Sequence, residues 1–263
     1  MTTLALRLAL APAFIVAISL VARRFGARAG GVVGGLPVIA GPILFVLALD
    51  KGSQFAADAA AGTMLGVVAL IAFVLAYVAA SRRYRWPVAI TVGWAVFFVV
   101  LGALEPVDAG PRLAVVLACG ACAAGVLLLP KPERGIPTTS AHPRHDLLLR
   151  AACAVVPVVV ITGIAGSVGS HVAGLLSSFP IITPVIAAFT QAQYGPGEAR
   201  QLLYGFTIGF FSYSIFCFVV AVTLDPLGLE AFALGATAAL AVQAVAVGVT
   251  RLVDRPLQPE VEG

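Results

Sequence analysis

Reactive side chains are few in this chain, so each can be weighed individually. Cys119-Gly120-Ala121-Cys122 has the C-x-x-C spacing used for thiol–disulfide exchange. It lies among Ala and Gly in an apolar stretch, where cysteine serves as a small packing residue, and Cys153 and Cys217 show no comparable pairing. His142 and His145 fall in a polar segment, and His171 lies at the start of an apolar one. With no metal-ligand cluster, phosphate loop or nucleophile motif, the sequence points to a protein that is not an enzyme and holds no metal or cofactor. The polar groups that recur inside apolar stretches are hydroxyls and amides. The second half carries Thr183, Thr190, Gln191, Gln193, Tyr204, Thr207, Ser212, Tyr213, Ser214 and Gln243, while the first half has chiefly Thr63 and Tyr77. Such groups bind rather than react. Ser and Thr can equally bond back to their own helix.

Prolines give these groups a focus. Gly34-Gly35-Leu36-Pro37-Val38-Ile39-Ala40-Gly41-Pro42 lies in the second apolar segment, and Ser177-Ser178-Phe179-Pro180-Ile181-Ile182-Thr183-Pro184 in the seventh. A proline removes a backbone donor and clashes with the carbonyl four residues earlier, so each segment is expected to break into two half-helices. Ser177 or Ser178 suits the cap before Pro180. Freed backbone groups inside a membrane are tolerated where they are buried in protein or line a cavity, and a half-helix N-terminus favours an anionic group. The expected binding site therefore comprises Pro37, Pro42, Ser177, Ser178, Pro180, Thr183, Pro184, Gln191, Tyr204, Thr207 and Tyr213, lined mostly by the second half. Arg7 and Arg150 sit one turn into matching segments near opposite faces. They either snorkel to headgroups or form a pair of anion-attracting gates.

The elements that must position these residues are membrane helices. Of 263 residues, 60% are hydrophobic and only 11% charged, and the mean hydropathy is +1.05. A soluble surface needs about 25% charged residues. The net charge of +4 is read as loop bias in a membrane protein, not as a nucleic-acid footprint. Expected spans are 3–22, 31–49, 59–80, 86–104, 112–129, 147–166, 171–192, 199–224 and 230–250. The first resembles a signal peptide, but Arg23, Arg24 and Arg28 directly follow its apolar run and argue for a retained helix. With the N-terminus outside and the C-terminus inside, 13 of the 16 Lys+Arg fall on the inner side, leaving Arg7, Lys51 and Arg112 outside. This places the chain in a bacterial inner membrane as a multi-pass protein.

A repeat underlies the order of segments. At an offset of 143, Gly26, Gly31, Gly52, Gly62 and Gly66 fall on Gly169, Gly174, Gly195, Gly205 and Gly209, with Arg7 on Arg150 and Pro37 on Pro180. Five helices separate the copies, so they face opposite sides of the bilayer. The expected fold is all-α: two inverted repeats, 1–110 and 147–250, joined by a helix and cytoplasmic loop at 111–146 and followed by a tail at 251–263. Register in the fourth helices is left open. Inverted repeats with paired broken helices are an architecture of secondary transporters.

Ala173-Gly174-Leu175-Leu176-Ser177-Ser178-Phe179-Pro180, followed by Tyr194-Gly195 and a helix with Gly205, resembles the GlpM-like small membrane proteins. Gly35-Leu36-Pro37 with Lys51-Gly52 repeats the pattern more faintly. The resemblance implies two four-helix units fused in tandem and an association with exopolysaccharide production; it supplies no site residues. No Asp or Glu lies near the middle of any expected span, which argues against carboxylate-based proton coupling. The sequence thus predicts a secondary transporter or lipid-linked-precursor flippase working by alternating access. Its partners would be membrane lipids and a small polar, anionic or phospho-lipid substrate, with a homodimer as a further possibility. The alternatives are an accessory subunit of an envelope polysaccharide or lipid pathway and, more remotely, a membrane thiol oxidoreductase.

Overall fold

A computed structural model of the protein describes residues 2–38, 40–107, 109–130 and 182–253. These residues form nine helices and, among themselves, no strand. In chain order they are α1 (Thr2–Phe25), α2 (Ala27–Gly34), α3 (Ala40–Lys51), α4 (Ser53–Ser81), α5 (Trp86–Leu104), α6 (Pro111–Leu128), α7 (Ile182–Tyr194), α8 (Pro196–Leu227) and α9 (Glu230–Val253). Five are long and apolar enough to cross a membrane: α4, α5, α6, α8 and the stretch Glu230–Gly248 of α9. This agrees with the expected all-α membrane class. Pro87, Pro111 and Pro196 occupy first turns, where a missing N–H costs nothing. The expected span 147–166 and the first part of 171–192 lie outside the described residues. The short fifth span is present as α6.

The second expected span is broken where proline predicts. α2 stops at Gly34 and α3 starts at Ala40, with Pro37 in neither helix. Pro37 has no N–H to continue the ladder, but its carbonyl accepts the Gly41 N–H at 2.9 Å and so opens α3.

α4 and α8 form the centre of the bundle and run antiparallel. At one end Ser53 of α4 lies 3.5 Å from Asp225 near the end of α8. At the other, Tyr77 of α4 bonds Gln191, just before α8 begins. α5 and α6 pack on α4, α9 packs on α8, and α6 also touches α8. α4 can be enclosed on several sides because its buried positions include Ala56, Ala57, Ala59, Ala60, Ala61, Gly62 and Gly66. α2 crosses α8 more closely than side chains would allow. A Cβ at Gly31 or Gly35 would overlap the α8 backbone, and one at Gly205 would overlap the Arg28 carbonyl. The crossing therefore requires glycine on both helices.

The segments α3–Gly52–α4 and α7–Gly195–α8 are built alike. Gly52 has φ +94° and Gly195 φ +87°, each joining a short helix to a long one. Each donates its N–H four residues back, Gly52 to Ala48 at 3.2 Å and Gly195 to Gln191 at 3.0 Å. The helices that follow also pack in comparable ways. Gly93 of α5 meets the Phe73 ring, and Gly235 of α9 meets the Phe216 ring. The buried faces are Ala89, Gly93 and Phe97 on α5, and Ala231, Gly235 and Ala239 on α9. These match at an offset of 142, one residue shorter than the earlier helices.

Antiparallel packing sorts the charges to two ends. Arg23, Arg24, Arg28, Arg82, Arg83, Arg85, Arg200 and Arg251 lie at the end where α4 finishes and α8 begins, with Glu198. Asp50, Asp58, Glu105, Asp225 and Glu230 lie at the other, with Lys51 and Arg112.

Candidate functional site

The break between α2 and α3 lies beside Phe206 and Gly209, about midway along α8. Its backbone has been given a partner. The Leu36 N–H turns to the Val33 carbonyl at 3.1 Å, which leaves the Val32 carbonyl without its helical donor. The side-chain amide of Gln243, on α9, donates to that carbonyl. Gln243 Oε1 in turn faces Ser212 Oγ at 2.6 Å, and Ser212 Oγ is also 2.6 Å from the Gly209 carbonyl. The hydroxyl has one proton for these two acceptors. The amide orientation is fixed, because flipping it would set oxygen against the Val32 carbonyl. This buried chain ties α2, α8 and α9 together at the break. Gln243 and Ser212 are legible from sequence as lone polar groups on apolar helices, but their role is not.

Beyond the break opens a cavity of about 580 Å³. Leu36, Pro37, Val38, Gly41, Pro42 and Phe45 line one side, and Phe216 of α8 with Phe232, Ala236, Ala239 and Leu240 of α9 line the other. The lining is apolar throughout. It extends from mid-height towards the acidic end, where the Phe45 and Phe232 rings meet edge to face at 5.2 Å. At an offset of 142, Ala236 and Ala239 align with Trp94 and Phe97 of α5; Phe97 is fully buried and Trp94 packs against the core.

The expected site residues are distributed over several places. Pro37 and Pro42 line the apolar cavity. Thr183 and Pro184 are buried in the first turn of α7. Gln191 is buried near the basic end, accepting the Tyr77 hydroxyl at 2.8 Å and donating to the Tyr84 carbonyl at 3.0 Å. Tyr204 lies beneath the Arg28 guanidinium, 5.1 Å from ring centre. Thr207 is fully buried, bonds back to the Leu203 carbonyl at 3.0 Å and touches the α6 backbone at Gly125. Tyr213 stacks edge-on against Phe210 at 6.4 Å. Thr63 and Ser214 also bond back to their own helices. Ser177, Ser178, Pro180 and Arg150 lie outside the described residues, as does the side chain of Arg7, which belongs to α1. At the described break the polar contacts come from Gln243 and Ser212, and the cavity beyond it is lined by apolar residues of the break itself, α3, α8 and α9.

Cys119, Cys122 and Cys217 are free thiols, Cys122 and Cys217 buried. Among the described residues no group of His, Cys, Asp and Glu could hold a metal ion. The chain matches no protein-family model, no curated protein and no solved structure.

Proposed function

We propose that the chain is a carrier of an amphipathic, lipid-type molecule in the inner membrane of a bacterium. The carrying observation is the mid-height helix break that opens on a 580 Å³ apolar cavity. Of the substrates the sequence allowed, a phospho-lipid or lipid-linked precursor suits this lining better than a small polar solute. A polar solute would find no hydrogen-bond partner there. The reading is of two inverted repeats exchanging conformation. It is supported by the antiparallel α4 and α8, the matched glycine joints at Gly52 and Gly195, and the differing fill of matched positions, with rings at Trp94 and Phe97 against alanines at 236 and 239. In such a carrier one cavity is filled while its counterpart is open, and rocking of one unit against the other interchanges them. The Phe45–Phe232 pair stands where a gate is needed at the acidic end. The charge separation supports an orientation with the basic end in the cytoplasm, hence N-terminus out and C-terminus in.

The test is transbilayer movement in liposomes holding the purified full-length protein. Fluorescent phospholipid and a phosphorylated isoprenoid are followed beside a small anionic solute. Lipid exchange faster than in protein-free vesicles is expected. Ala236→Trp with Ala239→Phe, which installs the first-half residues, should slow it about tenfold, or about 1.4 kcal/mol on the barrier. Movement of the solute but not the lipids would overturn the lipid assignment. Movement of neither, with co-purification of a synthase, would favour the accessory-subunit reading.

A further inference from the structure

We infer that the cleft beside the α4–α5 turn binds the phosphate of an anionic phospholipid headgroup. This goes beyond the carrier reading and holds whether or not the chain moves lipid. The cleft, about 370 Å³, is lined by Arg82, Arg83 and Arg85, by Tyr84 and Trp86, and by Gln191 on its α7 side. All three arginines are exposed, and among the described residues no carboxylate lines the cleft. Three arginines within four residues therefore line a cleft to which the described residues contribute no carboxylate. Guanidinium forks match phosphate oxygens in pairs.

The turn is held in place. Gln191 donates to the Tyr84 carbonyl at 3.0 Å and is itself fixed by the Tyr77 hydroxyl at 2.8 Å, so the arginines project from an anchored backbone. The N-terminus of α5 adds partial positive charge at Trp86. What selects a lipid over a free phosphate is the surface that continues from the cleft. Tyr84 and Trp86 are exposed at the level of the arginines, as aromatic residues are at a headgroup boundary. Beyond them Val88, Val92 and Val99 are exposed on α5, an aliphatic track for an acyl chain that a soluble anion would not use. The matched positions at the opposite end carry Asp225 and no arginine, so the site belongs to one leaflet.

Trp86 can report the test. In a Trp94→Phe protein in vesicles, Trp86 is the sole tryptophan, and its quenching by brominated phosphatidylglycerol is compared with quenching by brominated phosphatidylcholine. The anionic lipid should compete roughly fivefold better or more, given the attraction of each arginine near a surface. Arg82→Gln, Arg83→Gln and Arg85→Gln together should bring the ratio to about one while leaving phosphatidylcholine quenching unchanged, which shows that Trp86 still sits at the interface. A ratio near one in the unsubstituted turn, or a preference that survives the triple substitution, would overturn the proposal. Loss of the preference on adding inorganic phosphate, but not chloride of equal ionic strength, would assign the cleft to a soluble anion instead.

Discussion

Two buried amides do much of the work of holding irregular backbone in an apolar bundle. Gln243 takes up the Val32 carbonyl that the helix break leaves free, and Gln191 takes up the Tyr84 carbonyl at the α4–α5 turn. Gln243→Leu removes the donor that reaches that carbonyl from α9, so a buried acceptor is left open. A loss of about 1–3 kcal/mol is expected, read as a fall of several degrees in the unfolding midpoint in detergent. Ser212→Ala should cost less, and the double variant less than the sum, since Ser212 Oγ faces the same amide. Additive effects would show that the two side chains act separately. At this scale the sequence is half-legible. A lone Gln in an apolar helix marks a need for a partner, but the Tyr77–Gln191 pair spans 114 positions and emerges only where the end of α4 packs beside the end of α7. Thr63, Thr207 and Ser214 look alike in sequence and turn out to serve their own helices.

Glycine sets the geometry of the elements in two distinct ways. At Gly205 the problem is space, because a Cβ would drive into the α2 backbone, whereas at Gly52 and Gly195 space is open and the constraint is φ. Gly205→Ala should therefore push α2 from α8 and cost about 1–3 kcal/mol. Gly102→Ala, with nothing within 4 Å, should be neutral or slightly stabilising by helix propensity. Equal losses at both positions, measured by unfolding in detergent, would refute the close crossing. The broken second span was legible because proline's missing N–H is a local fact. The cavity was not. It depends on small residues, Ala236 and Ala239 of α9, facing the broken segment across the chain, a juxtaposition that local pattern does not reveal. The spans of α4, α5, α6, α8 and α9 could be placed closely because length and apolarity alone decide them.

For the whole molecule, the antiparallel central helices α4 and α8 make a sidedness prediction. Tyr84 and Leu227 occupy matched positions at an offset of 143 yet lie at opposite ends of the bundle, and both are exposed. In a cysteine-free background, Leu227→Cys should react with an impermeant maleimide in intact cells, and Tyr84→Cys only after permeabilisation. Labelling of both from one side would dismantle the inverted arrangement. The way helices of different length are arranged has one more consequence. Among the described residues α4 and α8, of 29 and 32 residues, are the more buried spans, while α5, α6 and the apolar part of α9, of 19, 18 and 19 residues, are mostly exposed. At about 1.5 Å per residue these exposed helices are about 27–29 Å long, close to the thickness of an ordinary hydrocarbon core. The long central pair never has to match the bilayer, because its ends emerge among charged turns. The protein should therefore sense membrane thickness through these exposed helices: thicker bilayers would be thinned around them or would drive the protein to cluster.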